Sequence, residues 1–367
     1  MIMKRHNLLI KESVTMPMLT QHYQLSFTTP AFLGNAHQRA QWRTPPIKSL
    51  MRQWWRVAVA RSLDYRVADL LNAEQALFGA AADEFRSTKS KLRLRLDAWN
   101  EGTLKDWPNL SAINPAGVKV SVKPDLYLGY GPLEYNSQTR RIGIKNNAAI
   151  QAHVTANLAL AYPDSAHKDM QHTIELINKY GALGGRSRNG WGSMLLLPAD
   201  GTNGEIRAPD QALDPHLQQD WRKALQLDWP HALGSDEQGL LVWQTEPKES
   251  WEAIMGVLAQ LRIGMRAQFP FHTGGHTAKP EDRHWLSYPV TKHEVTSWGN
   301  AARLPNSLRF KVRPAPGQPE KLVGVLFHTP CRPPQSFNPD LARIQAVWQQ
   351  VHSFLDNPEQ QLRRIKA

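Results

Sequence analysis

The hydrophobic and polar positions in the first half of the chain follow two different periods. Tyr23, Leu25 and Phe27 alternate with more polar residues, which predicts a strand over residues 18–27 with one buried face. After Thr44, which we expect to be an N-cap, apolar residues recur every three or four positions and predict a helix over 45–62. The other elements predicted in this half are a helix at 69–78, strands at 91–97, 118–130 and 142–155, a helix at 168–179 and a strand at 194–198.

The second half shows the same mixture of periods. It follows residues 199–215, a stretch rich in Gly, Pro, Asp and Asn that predicts a linker. The elements predicted beyond it are a helix near 215–226, a strand at 239–243, a helix at 250–265, strands at 309–312 and 322–327, and a helix at 339–355. Strands and helices alternate without a regular βα repeat, which favours an α+β fold over a doubly wound sheet. The commonest small fold of this kind is the strand-helix-strand-strand-helix-strand arrangement of ferredoxin-like domains.

The length of 367 residues, 41% of them hydrophobic, indicates two domains with cores of their own. We expect a weakly ordered leader over residues 1–17, an N-terminal domain over 18–200 and a C-terminal domain over 201–367. No apolar run approaches 18 residues, so we expect no membrane span. The single cysteine, Cys331, excludes an internal disulfide and a multi-cysteine zinc site. We therefore expect a cytoplasmic protein without a metal or another cofactor.

The charge is concentrated in the first half of the chain. Residues 1–200 hold 25 basic and 15 acidic residues, whereas residues 201–367 hold 19 and 17. Residues 13–63 contain no Asp or Glu at all, and their basic residues are Arg39, Arg43, Lys48, Arg52, Arg56 and Arg61. A basic patch without acidic neighbours is typical of a protein that binds a polyanion. A solvated basic face without a ligand is the alternative, but the missing acids favour nucleic acid.

The start of the helix predicted over 45–62 carries cations where most helices carry Asp or Glu. Its free backbone N–H groups and the helix dipole attract anions, so Arg43, Lys48 and Arg52 there predict a bound phosphate. We expect alanine at Lys48 and Arg52 to weaken RNA binding and its salt dependence with little loss of stability. Trp54, at helical spacing, is expected in the core.

A glycine-rich loop follows the helix predicted at 168–179. Five of the twelve residues 181–192 are glycine, which permits close approach of the backbone to a ligand. We expect Gly184 and Gly185 to adopt conformations that other residues avoid. Arg186 and Arg188 supply charge, and Trp191 a stacking face. The loop matches neither the P-loop nor the dinucleotide-binding glycine pattern, so it favours a groove along an RNA backbone over a nucleotide enzyme.

Four segments together resemble the RAMP proteins of CRISPR systems, with the nearest likeness to the first RAMP subunit of the type III-B Cmr complex. They are residues 27–34, 43–56, 73–79 and 184–192, and residues 303–308 look like a degenerate counterpart of the glycine-rich loop. The resemblance implies two tandem ferredoxin-like (RRM-like) domains. It also implies a non-catalytic subunit at the end of a multi-subunit complex, near the 3′ part of the guide RNA.

The same resemblance suggests which residues contact RNA and which partners the chain has. The predicted RNA-binding residues are Arg39, Arg43, Lys48, Arg52, Arg56, Gly184, Gly185, Arg186, Ser187, Arg188 and Gly190. The implied partners are guide RNA (crRNA), target RNA and other RAMP subunits. The near-neutral second half is expected to dock on other subunits.

Two other functions stay open at this point. A guide-processing endoribonuclease would use a histidine as general base, and His37 is the candidate, although an exposed loop histidine is the simpler interpretation. His272 and His276 lack a third metal ligand, so we expect no metal site there. The other alternative is a purely structural subunit that contacts proteins alone.

Overall fold

The computed structural model describes residues 17–80, 87–115, 120–145, 148–199 and 215–365. Its first half begins with a long strand and alternates helices with short strands. The elements of this half are β1 (Met18–Phe27), α1 (Thr44–Val59), α2 (Val67–Phe78), β2 (Arg93–Leu96), α3 (Pro124–Gly129), β3 (Leu133–Asn136), β4 (Arg141–Ile144), β5 (Thr155–Pro163), α4 (His167–Tyr180) and β6 (Met194–Pro198).

Strand β1 is an inner strand of a four-stranded antiparallel sheet with the order β2-β5-β1-β6. Tyr23, Leu25 and Phe27 are buried in it, so the predicted alternation is confirmed. Helices α1 and α4 contact each other and share one hydrophobic cluster with the buried face of the sheet. Leaving out α2, α3 and the β3–β4 hairpin, the chain order is strand, helix, strand, strand, helix, strand.

The second half is built from a similar set of elements. They are β7 (Gln218–Asp220), α5 (Trp221–Ala224), β8 (Leu233–Asp236), β9 (Gly239–Leu240), β10 (Val242–Thr245), α6 (Trp251–Ala267), β11 (His276–Thr277), β12 (Glu294–Val295), β13 (Leu308–Ala315), β14 (Gln318–His328), α7 (Leu341–Asp356) and β15 (Leu362–Arg364). The side chains of Ser250 and Asp340 accept hydrogen bonds from the first turns of α6 and α7, which explains where these helices begin.

The main sheet of the second half has the order β13-β14-β10-β15 and is antiparallel throughout. In chain order its strands and helices run β10, α6, β13, β14, α7, β15, which is the same sequence of element types as in the first half. The predicted α+β class is therefore confirmed. No helix among the described residues is long and apolar enough to cross a membrane.

Three predicted elements are wrong. The strand predicted over 118–130 is absent from the described residues 120–130, because Pro124 occupies the first turn of α3, where its missing N–H is tolerated. Of the range 142–155, residues 142–144 belong to β4 and residue 155 begins β5, so no single strand spans it. The helix predicted over 215–226 shrinks to α5, since residues 218–220 form β7. The leader up to residue 16 and the linker residues 200–214 lie outside the described residues.

The two halves pack against each other over a shared core. One hydrophobic cluster joins α1, α4 and the first sheet to Val242, Val325 and Phe327 of the second sheet. The other joins Trp107 and Trp191 to α6 and α7. Polar contacts reinforce this junction, and Thr28 Oγ1 donates a hydrogen bond to the carbonyl of Val312 at 2.7 Å.

Lys311 on β13 is the most unusual of these cross-contacts. Its side chain is fully buried, and its Nζ donates to the carbonyls of Ile177 (3.1 Å), Gly181 (2.5 Å) and Met194. Ile177 and Gly181 are at the C-terminus of α4, where carbonyls lack helical partners and the dipole favours a cation. Burial, reinforced by nearby Arg313, lowers the pKa of Lys311 well below its usual value.

Candidate nucleic-acid interface

A large open cleft lies where the two halves meet. Its volume is about 1410 Å³, and its walls come from α1, the residues before and in α3, the glycine-rich loop, α6 and residues 283–310. Both halves therefore contribute to one concave surface.

The cleft is lined by many cations. The basic lining residues are Lys123, Arg186, Arg188, Arg262, Arg266, Arg283, Arg303 and Arg309. Among the described residues that line it there is no Asp or Glu. A concave surface lined by charges of one sign focuses their potential, and a positive potential raises the local concentration of anions.

One cluster of arginines lies along α6. Arg262 and Arg266 are one helical turn apart; Arg262 interacts electrostatically with Arg186, and Arg266 with Arg283. Burial lowers the pKa of Arg262 to about 10, and the positive charges of Arg266 and Arg186 act in the same direction, against a favourable contribution from Tyr127. An anion placed among these guanidinium groups would offset both the cost of desolvating them and their mutual repulsion.

A second cluster consists of Arg188 and Arg309. Burial and, to a smaller extent, the charge of Arg188 together lower the pKa of Arg309 to about 10. Cys331 is close to both, but burial raises the pKa of its thiol to about 11, so it stays neutral and cannot balance their charge.

Several arginines of the cleft carry an unpaired buried nitrogen. Within the described part of the chain, the buried Nε atoms of Arg266, Arg283 and Arg309 have no hydrogen-bond acceptor. These three arginines also line the cleft, and guanidinium groups are strong donors to phosphate oxygens. The charge of the cleft wall therefore suits a ligand rich in phosphate.

The glycine-rich loop delivers one arginine to each cluster. Gly184 has φ +96°, and a Cβ there would lie 2.7 Å from the carbonyl oxygen of Phe32, so the prediction for Gly184 is confirmed. Gly185 has no positive φ, and the prediction for it is wrong; Arg186 takes a left-handed φ of 57° instead. The turn at Arg186 lets Arg186 and Arg188 point towards different neighbours.

Asn189 fixes the loop to both halves of the protein. Its Nδ2 donates to the carbonyl of Leu128 at 2.7 Å, and its Oδ1 accepts from Arg262 at 2.6 Å. The N–H of Phe310 on β13 donates to the carbonyl of Arg188 at 3.0 Å. The loop is therefore a rigid part of the cleft wall.

Trp191 does not offer a stacking face, contrary to the sequence-based expectation. It is fully buried, and its ring contacts Phe32, Trp107 and Trp251 at centroid distances of 5.5, 5.3 and 5.7 Å. The apolar packing of four aromatic rings outweighs exposure of this one. Trp54 is buried as predicted, although one edge of it reaches the cleft.

The predicted RNA-binding residues of α1, which are Lys48, Arg52 and Arg56, do not line the cleft. Arg52 and Arg56 both pair with the buried carboxylate of Glu74 on α2, at 3.3 Å for Arg52 Nε and 2.8 Å for Arg56 Nη2. Arg52 also donates to the carbonyl of Gly79 at 3.0 Å. These contacts argue against the expectation that alanine at Lys48 and Arg52 would cost little stability, because the change at Arg52 would remove one of the two cations that pair with the buried Glu74.

The remaining N-terminal candidates are scattered over the surface. Helix α1 starts at Thr44, so its N-cap is Arg43 rather than Thr44, and no side chain caps the first turn. Lys48 is half-buried, and its pKa is lowered mainly by this burial and to a smaller extent by the charge of Arg52. Arg39 pairs with Glu101 at 3.3 Å, and His37 lies in an exposed turn. The structure brings together Gly184, Arg186, Ser187 and Arg188 at the cleft, but not Arg39, Arg43, Lys48, Arg52, Arg56 or His37.

Five cleft arginines escaped the sequence-based prediction: Arg262, Arg266, Arg283, Arg303 and Arg309. They all belong to the second half, whose near-zero net charge obscured them. A local signal was present, because residues 253–280 and 295–319 contain no Asp or Glu. The acids of this half lie in separate stretches of sequence.

Comparison with known proteins supports the predicted family resemblance. The family model of the RAMP superfamily matches residues 24–194, which confirms that resemblance. No curated protein matches the chain. The chain is similar to the crystal structure of Cmr1 from Pyrococcus furiosus (apo form), with 12% identity, a TM-score of 0.43 and coverage of 95% of this chain and 99% of that one. It is also similar to a chain of the type III-B Cmr-beta complex bound to cognate target RNA, with 11% identity, a TM-score of 0.43 and coverage of 92% and 100%.

Proposed function

Residues 24–194 match the RAMP superfamily, and from this premise we propose that the chain is a non-catalytic RNA-binding subunit of a type III CRISPR effector complex. In this proposal the cleft between the halves holds the sugar-phosphate backbone of guide RNA, target RNA or both, near the 3′ part of the guide. Other RAMP subunits of the complex are the protein partners, and the cytoplasm is the place of action.

The single observation that carries the proposal is the charge of the cleft. Eight basic residues line it, and no acidic residue does among those the structure describes. Backbone phosphates supply most of the affinity in such grooves, while base edges supply sequence specificity. With arginines as its main polar groups, the cleft is suited to binding RNA without strong sequence preference.

We also propose that each half is one ferredoxin-like domain. When the four strands of each main sheet are counted in chain order, the second, third, first and fourth strands lie side by side in that order in both halves. The β-α-β-β-α-β order along the chain supports the same assignment.

The non-catalytic role is proposed against the endoribonuclease alternative. His37 is exposed and outside the cleft, and the one histidine among the described lining residues, His293, stacks on Phe271 at a centroid distance of 3.7 Å. RNA that stays intact over hours with the purified protein would support the non-catalytic role. Cleavage at a defined position that is lost in His293→Ala or His37→Ala would favour the nuclease.

The salt dependence of RNA binding tests the cleft directly. Replacing Arg188 and Arg266 with Gln removes one cation from each cluster without adding a negative charge. The matched control is Lys248→Gln with Lys279→Gln, two exposed lysines that do not line the cleft. For single-stranded RNA, two lost phosphate contacts should flatten the plot of log binding constant against log salt by about 1.4.

The outcome is measured by fluorescence anisotropy with labelled single-stranded RNA at several KCl concentrations. We expect the control pair to keep the wild-type slope. Equal slopes for the cleft variant and the wild type would contradict the proposal. A slope that flattens instead in Arg43→Gln with Lys48→Gln would place the RNA on the first turn of α1.

A further inference from the structure

An exposed aromatic side chain stands at the edge of the basic cleft. Tyr130 is 67% exposed, although it lines the cleft together with Arg186. Single exposed apolar side chains are common on protein surfaces. Among the exposed large hydrophobic side chains of the described residues, however, Tyr130 is the one that lines the cleft, beside its cations.

The backbone under Tyr130 is fixed by the glycine-rich loop. Helix α3 ends at Gly129, and the carbonyl of Tyr130 accepts a hydrogen bond from Nε of Arg186 at 2.6 Å. The next residue, Gly131, has φ +112°, a conformation that other residues rarely adopt. The turn and the arginine therefore hold the ring beside a guanidinium group, at the surface.

This combination of a ring and a cation is what unpaired nucleotides require. A guanidinium group binds the phosphate of a nucleotide, and an aromatic ring at the surface stacks on its base. A base within a duplex is already stacked between its neighbours and cannot present its face to a side chain. Other rings at the cleft are less open, since Tyr127 and Phe271 are half-buried and Tyr288 is buried.

We propose that Tyr130 is a stacking platform that makes the cleft selective for single-stranded RNA with unpaired bases. This inference rests on the proposed function and adds a class of ligand to it: flexible single strands rather than duplexes. Arg186 has two roles here, because its Nε holds the backbone of Tyr130 and its side chain contributes a positive charge to the wall of the cleft.

The test uses three labelled probes of equal length: a single strand, the same strand with abasic sites, and a duplex. The variants are Tyr130→Ala, Tyr130→Phe and Tyr135→Ala. Tyr135 is the matched control, since it is 51% exposed on the neighbouring β3–β4 hairpin but does not line the cleft. Dissociation constants are measured by fluorescence anisotropy at one fixed salt concentration.

Stacking of one base corresponds to a change of about five- to hundredfold in affinity. We expect Tyr130→Ala to weaken binding of the single strand by a factor in this range and to leave the abasic strand almost unaffected. Tyr130→Phe keeps the ring and should bind like the wild type, as should Tyr135→Ala.

The two proposals fail in different ways. If the wild type binds the normal and abasic strands equally, or if Tyr130→Ala weakens both equally, the stacking inference is wrong while RNA binding stands. If the wild type binds none of the three probes, the proposed function fails, and the inference fails with it.

Discussion

Ser307, His328 and His352 form a hydrogen-bonded chain in the interior of the second half. Ser307 Oγ lies 3.0 Å from Nε2 of His328, and Nδ1 of His328 lies 3.0 Å from Nε2 of His352. Trp348 stacks on His328 at 4.2 Å. One nitrogen of the two facing imidazoles must accept, so the pair is stable only while at least one ring is neutral. Burial lowers the pKa of His328 to about 3, and that of His352 well below its ordinary value.

These depressed pKa values predict a loss of stability in mild acid. The unfolded chain takes up protons below its ordinary histidine pKa of about 6.5, whereas folded His328 stays neutral down to about pH 3. Its contribution is therefore fully present above pH 6.5 and is lost as the pH falls. Between pH 7.5 and pH 5 we expect His328 alone to lower the free energy of unfolding by about 2 kcal/mol.

Urea unfolding at pH 7.5 and pH 5 measures this effect, with His328→Phe as the comparison. Phe keeps the ring stacked on Trp348 but has no proton to bind, so the variant should lose less stability between the two pH values. An NMR titration of the folded wild type gives an independent check. An imidazole of His328 that protonates near pH 6.5 in the folded state would contradict the prediction.

At the scale of single elements, the glycine-rich loop depends on a few positions where only glycine fits. Gly192 has φ +63°, and a Cβ on it would lie 2.0 Å from the carbonyl oxygen of Leu183. The two residues are already joined, since the N–H of Leu183 donates to the carbonyl of Gly192 at 2.8 Å. The backbone at Leu183 and the backbone at Gly192 are therefore in direct contact, which leaves no space for a side chain at 192.

Gly192→Ala should therefore destabilise the protein and displace the loop. A left-handed conformation and a contact with backbone that cannot move aside together cost about 2–4 kcal/mol. Gly143→Ala is the matched control: a Cβ there meets nothing within 4 Å, so we expect a change of about 0.5 kcal/mol or less. Thermal unfolding of both variants decides the point, and equal midpoints for the two would show that the loop tolerates a side chain at 192.

At the scale of the whole molecule, the halves behave as one body because their cores are continuous. Phe327 of β14 contacts both Trp54 of α1 and Tyr180 of α4, at centroid distances of 6.0 and 4.9 Å. The cleft keeps its shape only while this junction holds, since the two arginine clusters combine residues from both halves. Separation of the halves would disperse the charge that the proposed function needs.

We expect a single cooperative unfolding transition and a large effect of Lys311→Met. This change leaves the buried carbonyls of Ile177, Gly181 and Met194 without the donor from β13, which should lower the free energy of unfolding by about 2–3 kcal/mol. Lys321→Met on β14 removes a partly exposed lysine paired with Glu249, and we expect about 0.5 kcal/mol from it.

Urea titrations followed by both tryptophan fluorescence and circular dichroism test this expectation. The two signals should change together in the wild type. Two separate transitions in the wild type would contradict the shared core, and an equal loss of stability in both lysine variants would contradict the role given to Lys311.

The sequence by itself determined the longest elements and one wall of the candidate site. Strand β1, helices α1, α4, α6 and α7, and the α+β class follow from the spacing of apolar residues, because each of these elements buries one face along its length. The glycine-rich loop was recognisable from composition, because backbone that must turn sharply within contact distance of other backbone admits few residues besides glycine. Short elements such as α3 and β7 were missed, because three to six residues are too few to show a period.

Only the tertiary structure decided which charges are free. Local sequence suggested the basic face of α1, but Glu74, which lies on a different helix, pairs with Arg52 and Arg56. Conversely, arginines of a nearly neutral half converge on the cleft, because the packing of α6 and β13 against the glycine-rich loop brings together residues from distant positions in the sequence. The acidic residues of that half do not line the cleft among the described residues. Electrostatic interaction depends on distance in space and on burial, and neither of these can be read from net charge along a chain.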